Sequence, residues 1–137
     1  MATIMASKHK TIGKLFSNEI GYIELEYDFA NDAGAFADEI NLGTFTNKTI
    51  IHSCIPYVQT ACTSGGSATV DCGIAGGDVD CFLDATAVAT LVDDYTAQES
   101  GNIPMVVAAA DHVLLDIGVA DLTAGKIIFK ITYSNAV

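Results

Sequence analysis

Apolar and polar side chains alternate with the period of a β-strand over much of this chain. From Tyr22 to Phe29 the alternation has no fault: Ile23, Leu25, Tyr27 and Phe29 share one face, and Tyr22, Glu24, Glu26 and Asp28 share the other. That pattern predicts a half-buried strand with a solvated face. The C-terminal run repeats it, with Ile127, Phe129, Ile131 and Tyr133 on one side and Lys126, Ile128, Lys130 and Thr132 on the other, after a turn expected over Asp121 to Gly125. Further strands are predicted over 39–45, broken by Gly43, and over 49–60. Pro56 marks the latter as an edge strand or a bulged one, because proline cannot donate to a ladder. Ser64-Gly65-Gly66-Ser67 reads as a reversal into a strand over 68–74, and strands are also predicted over 103–109 and 112–119. The spacing of Ala85, Val88, Leu91 and Val92 within 84–94 makes that segment the one helical candidate. Short strands separated by Gly, Asn and Asp predict an all-β antiparallel β-sandwich or barrel with at most one short helix. No repeat or second domain is seen, and 137 residues suit one core that buries roughly two-thirds of the unfolded surface.

Charge divides the chain in two. Residues 1–18 hold Lys8, Lys10 and Lys14 and no acid, a charge of +3, while residues 19–137 set three lysines against all 17 acids, a charge of −14. The division predicts an extended N-terminal arm over 1–20 and a β-sandwich domain over 21–137. Arginine is absent, so the bidentate fork that reads phosphate and guanine is missing, and a body this acidic repels a polyanion. Nucleic acid is therefore not an expected partner. Nor is a membrane: no apolar run approaches the ~20 residues a spanning helix needs, and the basic start has no apolar stretch of the secretory type behind it. The basic tail has two readings, a solvated start or an arm that docks on an acidic neighbouring protein.

Cysteines stand at 54, 62, 72 and 81 without a CxxC pair, and His9, His52 and His112 are scattered, so no zinc or redox motif is formed and no metal is expected. Cys62 and Cys72, and Cys54 and Cys81, are nearly symmetric about the 64–67 turn. A hairpin there would leave cross-strand disulfides open, although the weight falls on buried, reduced thiols. Asp71, Asp78, Asp80 and Asp84 gather about Gly76-Gly77, but the offsets of a calcium loop are not present, and a solvated acidic loop is expected. No Gly-x-Ser-x-Gly elbow occurs, and the carboxylates fall mostly in turns or on polar strand faces, so neither catalysis nor a cofactor is expected. With no tryptophan, a stacking platform for sugars is also poorly supported.

Four stretches carry a resemblance: Leu25-Glu26-Tyr27-Asp28-Phe29, the Thr63 to Val70 turn, Gly77-Asp78-Val79-Asp80-Cys81-Phe82-Leu83, and Leu122 to Phe129. Together they span about residues 22–133, and the chain resembles the capsid decoration (cement) proteins of tailed bacteriophages. The four cysteines are not part of that pattern. The resemblance implies a jelly-roll-like sandwich, a homotrimer, and a seat on the outer surface of a phage head, with the major capsid protein and neighbouring copies as partners and no catalytic residues. Combined with the charge division, it marks Lys8, Lys10, Lys14, Leu15 and Phe16 of the arm as partner-binding residues. The competing class is a tail, baseplate or fibre component on the same fold, and a glycan-binding module is a third.

Overall fold

The computed structural model describes residues 3–13, 19–94 and 103–135. The alternating stretch that opens the body forms β2 (Gly21–Asp28), and it pairs antiparallel along its whole length with the last strand, β9 (Leu122–Asn135). Register follows the alternation: Ile23 lies opposite Ile131, Leu25 opposite Phe129 and Tyr27 opposite Ile127 on the core side, while Glu24 faces Lys130 and Asp28 faces Lys126 outside. Opposite charges across a pair support that register, and a slip of one residue would turn the whole apolar set to solvent.

The remaining strands are β1 (Thr3–Ile12), β3 (Glu39–Phe45), β4 (Thr49–Ser64), β5 (Thr69–Ile74), β6 (Leu83–Ala87), β7 (Met105–Val107) and β8 (Asp111–Gly118). They make a five-stranded sheet in the order β1-β3-β8-β5-β6 and a four-stranded sheet in the order β2-β9-β4-β7. All pairings are antiparallel except β1 with β3. The inner faces meet in one core. Ile40, Leu42, Val70, Cys72, Val113 and Leu115 come from one sheet, and Leu25, Tyr27, Cys54, Val58, Ile127, Phe129 and Ile131 from the other, each fully buried. Phe82 and Phe129 pack ring to ring at 6.4 Å between centroids.

Pro56 meets its expectation locally. It lies opposite Phe129 of β9, whereas β7 on the other side of β4 reaches only Thr49–Ile51, so proline removes no ladder bond there among the described residues. β4 is also bulged, with register shifts on both sides of Pro56.

Three expectations are corrected. The Ser64–Ser67 turn does not close a hairpin, because β4 belongs to the four-stranded sheet and β5 to the five-stranded one. Both strands are apolar on one face, and crossing the sandwich brings Val58 and Val70 into one core from opposite sheets. Cys62 and Cys72, and Cys54 and Cys81, are therefore not cross-strand partners, and all four cysteines are buried and outside any disulfide. Within 84–94 the helix is reduced to one 3-10 turn, Val88–Thr90, after β6. Pairing with β5, Thr69 opposite Ala87 and Val70 opposite Thr86, outweighs the weak local preference of a segment rich in Val and Thr with no side-chain cap. The last turn closes at 119–121, not 121–125: β9 begins at Leu122 and carries Gly125 inside it at φ +145°, where a Cβ would lie 2.6 Å from Cys62 Sγ.

Candidate interaction surface

Within the N-terminal basic stretch, Thr3–Ile12 form β1 and lie in this chain's own five-stranded sheet. Ala6 and Ile12 of β1 are buried, and the strand runs parallel to β3 with an irregularity between Met5 and Lys10. It also leans on the opposite sheet: the Ser7 N–H donates to Asp32 Oδ1 at 2.7 Å, and Lys8 Nζ lies 3.0 Å from Glu26 Oε2 of β2. Glu26 takes Lys126 as well, at 3.8 Å, and its hydrogen bond and charge hold the Lys8 ammonium above the usual lysine range. Lys8 is thus half committed to an internal ion pair, while Lys10, opposite Gly43, is exposed. Lys14, Leu15 and Phe16 lie outside the described residues.

Just below Lys10, a polar network ties β1, β3 and β8. The Gly43 N–H donates to Asn41 Oδ1 at 3.1 Å, which orients the Asn41 amide to donate to His112 Nδ1 at 3.0 Å. His112 therefore carries its proton on Nε2. Thr44 Oγ1 lies 3.0 Å from His112 Nδ1 and 3.3 Å from His9 Nε2. Asn41 is 4 % exposed, so its bonds are made away from water. Sequence reading assigned His9 and His112 to separate places, because the pairing that joins them is non-local.

The two outer faces differ in chemistry. On the five-stranded sheet, Glu39 faces Asp116 and Asp116 faces Asp71 in direct register, an unfavourable like-charge row. The row continues through the 75–82 loop, which lies over Gly73 of β5 so closely that a Cβ there would sit 2.3 Å from Asp78 O. This brings Asp80 to Asp71 and Asp84, whose ligand oxygens can gather within 4.8 Å of one another. A hydrogen bond with Asp78, then burial, then the charge of Asp84 push the Asp80 carboxyl up to about 6. Burial, with Glu39 and Asp71 beside it, raises that of Asp116. Counted at one oxygen apiece, the three carboxylates supply half or less of the 6–8 oxygens that calcium takes, and the rest would have to come from second carboxylate oxygens, backbone carbonyls or water.

The four-stranded sheet presents a mixed outer face. Lys130 sits between Glu24 and Ile55 with its Nζ 5.0 Å from the centroid of the Tyr57 ring, and Tyr22 and Ile55 are well exposed. The concavities are shallow. One hollow of about 370 Å³ lies beside Gly65, Gly66, Ala120, Asp121 and Thr123, and one of about 280 Å³ beside Asp28, Phe29, Thr60 and Lys126.

No family model matches the chain, and no curated protein matches it. Solved structures do. A chain of the capsid of Ralstonia phage GP4 superposes with a TM-score of 0.72 at 16 % identity, covering 99 % of both chains. A chain of the cyanophage Pam1 capsid asymmetric unit gives 0.69 at 16 % over 91 % of both. A chain of the acidic stable capsid of Helicobacter pylori bacteriophage KHP30 gives 0.60 at 14 %, over 83 % of this chain and 86 % of the other. At these identities the likeness is one of fold: this protein has a β-sandwich architecture also found, over 83–99 % of its length, in chains of three phage capsids.

Proposed function

We propose that this protein is a non-catalytic structural component of a phage head, a decoration or cement protein that binds the outer surface of the shell as a homotrimer and stabilises it. The observation that carries the reading is the match of this small sandwich, over 83–99 % of its length, to chains of three phage capsids. A surface of shallow hollows and broad sheet faces fits adhesion, for which about 800 Å² per partner is enough. Its partners in this role are the major capsid protein and neighbouring copies of itself. The basic stretch contributes to the second contact: Lys10, Lys14, Leu15 and Phe16 dock on the acidic body of a neighbouring copy, and Lys8 supports them from its pair with Glu26.

The test is addition of the purified chain to heads assembled without it. Cryo-electron microscopy should show density on the outside of the shell at threefold positions, and the heads should withstand higher temperature. Density at the tail would instead assign a tail, baseplate or fibre role. Because β1 is part of the sheet, deleting residues 1–18 would damage the fold. Lys10→Glu with Lys14→Glu is the cleaner variant, and a trimer fraction unchanged in sedimentation would remove the basic stretch from the interface.

A further inference from the structure

Three connections meet at the end of the sandwich where β1 and β9 begin: residues 29–38, 64–68 and 118–121. They are tied into one rigid block. The Leu122 N–H donates to Gly34 O at 2.8 Å, the Phe36 N–H to Asp121 Oδ1 at 2.7 Å, and the Ala37 N–H to Ile117 O at 2.7 Å. The 64–68 turn sits against the same block, since a Cβ on Gly66 would lie 2.8 Å from Ala120 Cβ. On this block two large apolar side chains stand in solvent, Phe36 at 54 % and Val119 at 66 % exposure.

Val119 is held in a conformation that its side chain opposes. The Ala120 N–H donates to Gly118 O at 2.9 Å across it, and its φ is +72°, which makes a three-residue γ-turn centred on a β-branched residue. Such turns are rare and strained, and a β-branched residue at positive φ is an outlier where Gly or Asn would sit readily. Among the described residues nothing offsets that strain by burying the valine, which is 66 % exposed. The charge of the block points to what could: its connections carry Asp32, Asp38 and Asp121 and no lysine, so a second copy of the same end would be repelled.

We propose that Phe36 and Val119 form a preformed apolar knob that seats in an apolar recess, edged by lysine or arginine, on the coat protein of the head. The inference rests on the head-binding reading above and names the face that makes that contact, opposite the end where Lys10 lies. A rigid knob loses little conformational freedom on docking, as an interface anchor requires.

Val119→Asn and Phe36→Ser test it on undecorated heads. Val119→Asn keeps the turn without the strain, so its Tm should rise above wild type while head occupancy at sub-saturating concentration falls about tenfold, the size of effect expected of an anchor residue. Phe36→Ser should lower occupancy similarly, and raising salt from about 50 to about 500 mM should weaken the wild-type contact severalfold. Variants that occupy heads as wild type does, or that lose self-association in place of head binding, overturn the proposal. So does a fall in Tm on Val119→Asn. A wild-type chain that never binds heads defeats the head-binding reading and this inference with it, whereas bound wild type matched by bound variants defeats this inference alone.

Discussion

Gly73→Ala is the sharpest test of how the outer face of the five-stranded sheet is built. Gly73 is buried in β5, opposite Leu114 of β8, and the 75–82 loop lies across it with Asp78 O 2.3 Å, Val79 C 2.4 Å and Asp80 N 2.7 Å from the place a Cβ would occupy. These neighbours are backbone atoms, so no side chain can swing aside. To restore contact of about 3.4 Å the loop must retreat by about 1 Å, which breaks the 2.9 Å bond from the Ile74 N–H to Asp78 O. Overpacking of this kind costs about 1–3 kcal/mol and the lost hydrogen bond about 1 more, so the variant should be less stable by about 2–4 kcal/mol. With a urea dependence near 2 kcal/mol per molar, the unfolding midpoint should fall by about 1–2 M. Gly77→Ala is the control in the same loop. A Cβ there meets only Ile74 and Met105 carbons at 3.7–3.8 Å, and the residue does not have positive φ, so that variant should be neutral or stabilised by about 0.4–1 kcal/mol. Equal unfolding midpoints for the two variants would refute the seating of the loop on β5.

Other expectations follow from the same geometry. Because the Asp80 carboxyl is raised to about 6 in the folded chain, the native state binds more protons there than the unfolded one between about pH 4 and 6, so its contribution favours folding at low pH and is lost as pH rises through about 6; Asp116, also raised, acts in the same direction. Denaturation across that window should show Asp80→Asn gaining on wild type as pH rises, and a gap of opposite slope would contradict the acidic row. Asn41→Ala leaves the Gly43 N–H without its side-chain partner and His112 Nδ1 with Thr44 Oγ1 alone, and should cost about 1–3 kcal/mol, read by the urea midpoint; a neutral result would show that the network carries no stability. The thiols should be inert in the native state, since burial pushes Cys62 up to about 11 and Cys81 up to about 12 and raises Cys72 as well. Mass spectrometry after brief alkylation should find four unmodified cysteines, all of which react in denaturant, and rapid native labelling would contradict their burial.

Period and turn chemistry made much of the fold legible. Alternation located β2, β5 and β8 within a residue or two, and the core of β9 though not its start, because a strand with one face buried writes its period directly into the sequence. The same local reading failed where a partner decided. Small residues over 84–94 suggested a helix until β5 claimed the segment as β6, and the 64–67 turn read as a hairpin until the strands on either side were seen to lie in opposite sheets. The surfaces were least legible. Glu39, Asp116 and Asp71 are far apart in the chain and form a row only through register, and Phe36 and Val119 share an end of the sandwich only because β2–β3 and β8–β9 close there.

What the residues alone determined is the kind of object: an acidic, β-rich single domain with its greasy positions arranged in strands, since alternation, turn residues and net charge are local or additive properties. Which strands neighbour one another, which faces meet, where the like charges line up and which apolar side chains remain in solvent were decided by tertiary pairing. The physical reason is that hydrogen-bonded ladders accept many strand orders of similar local merit, and only the joint burial of both sheets in one core selects among them.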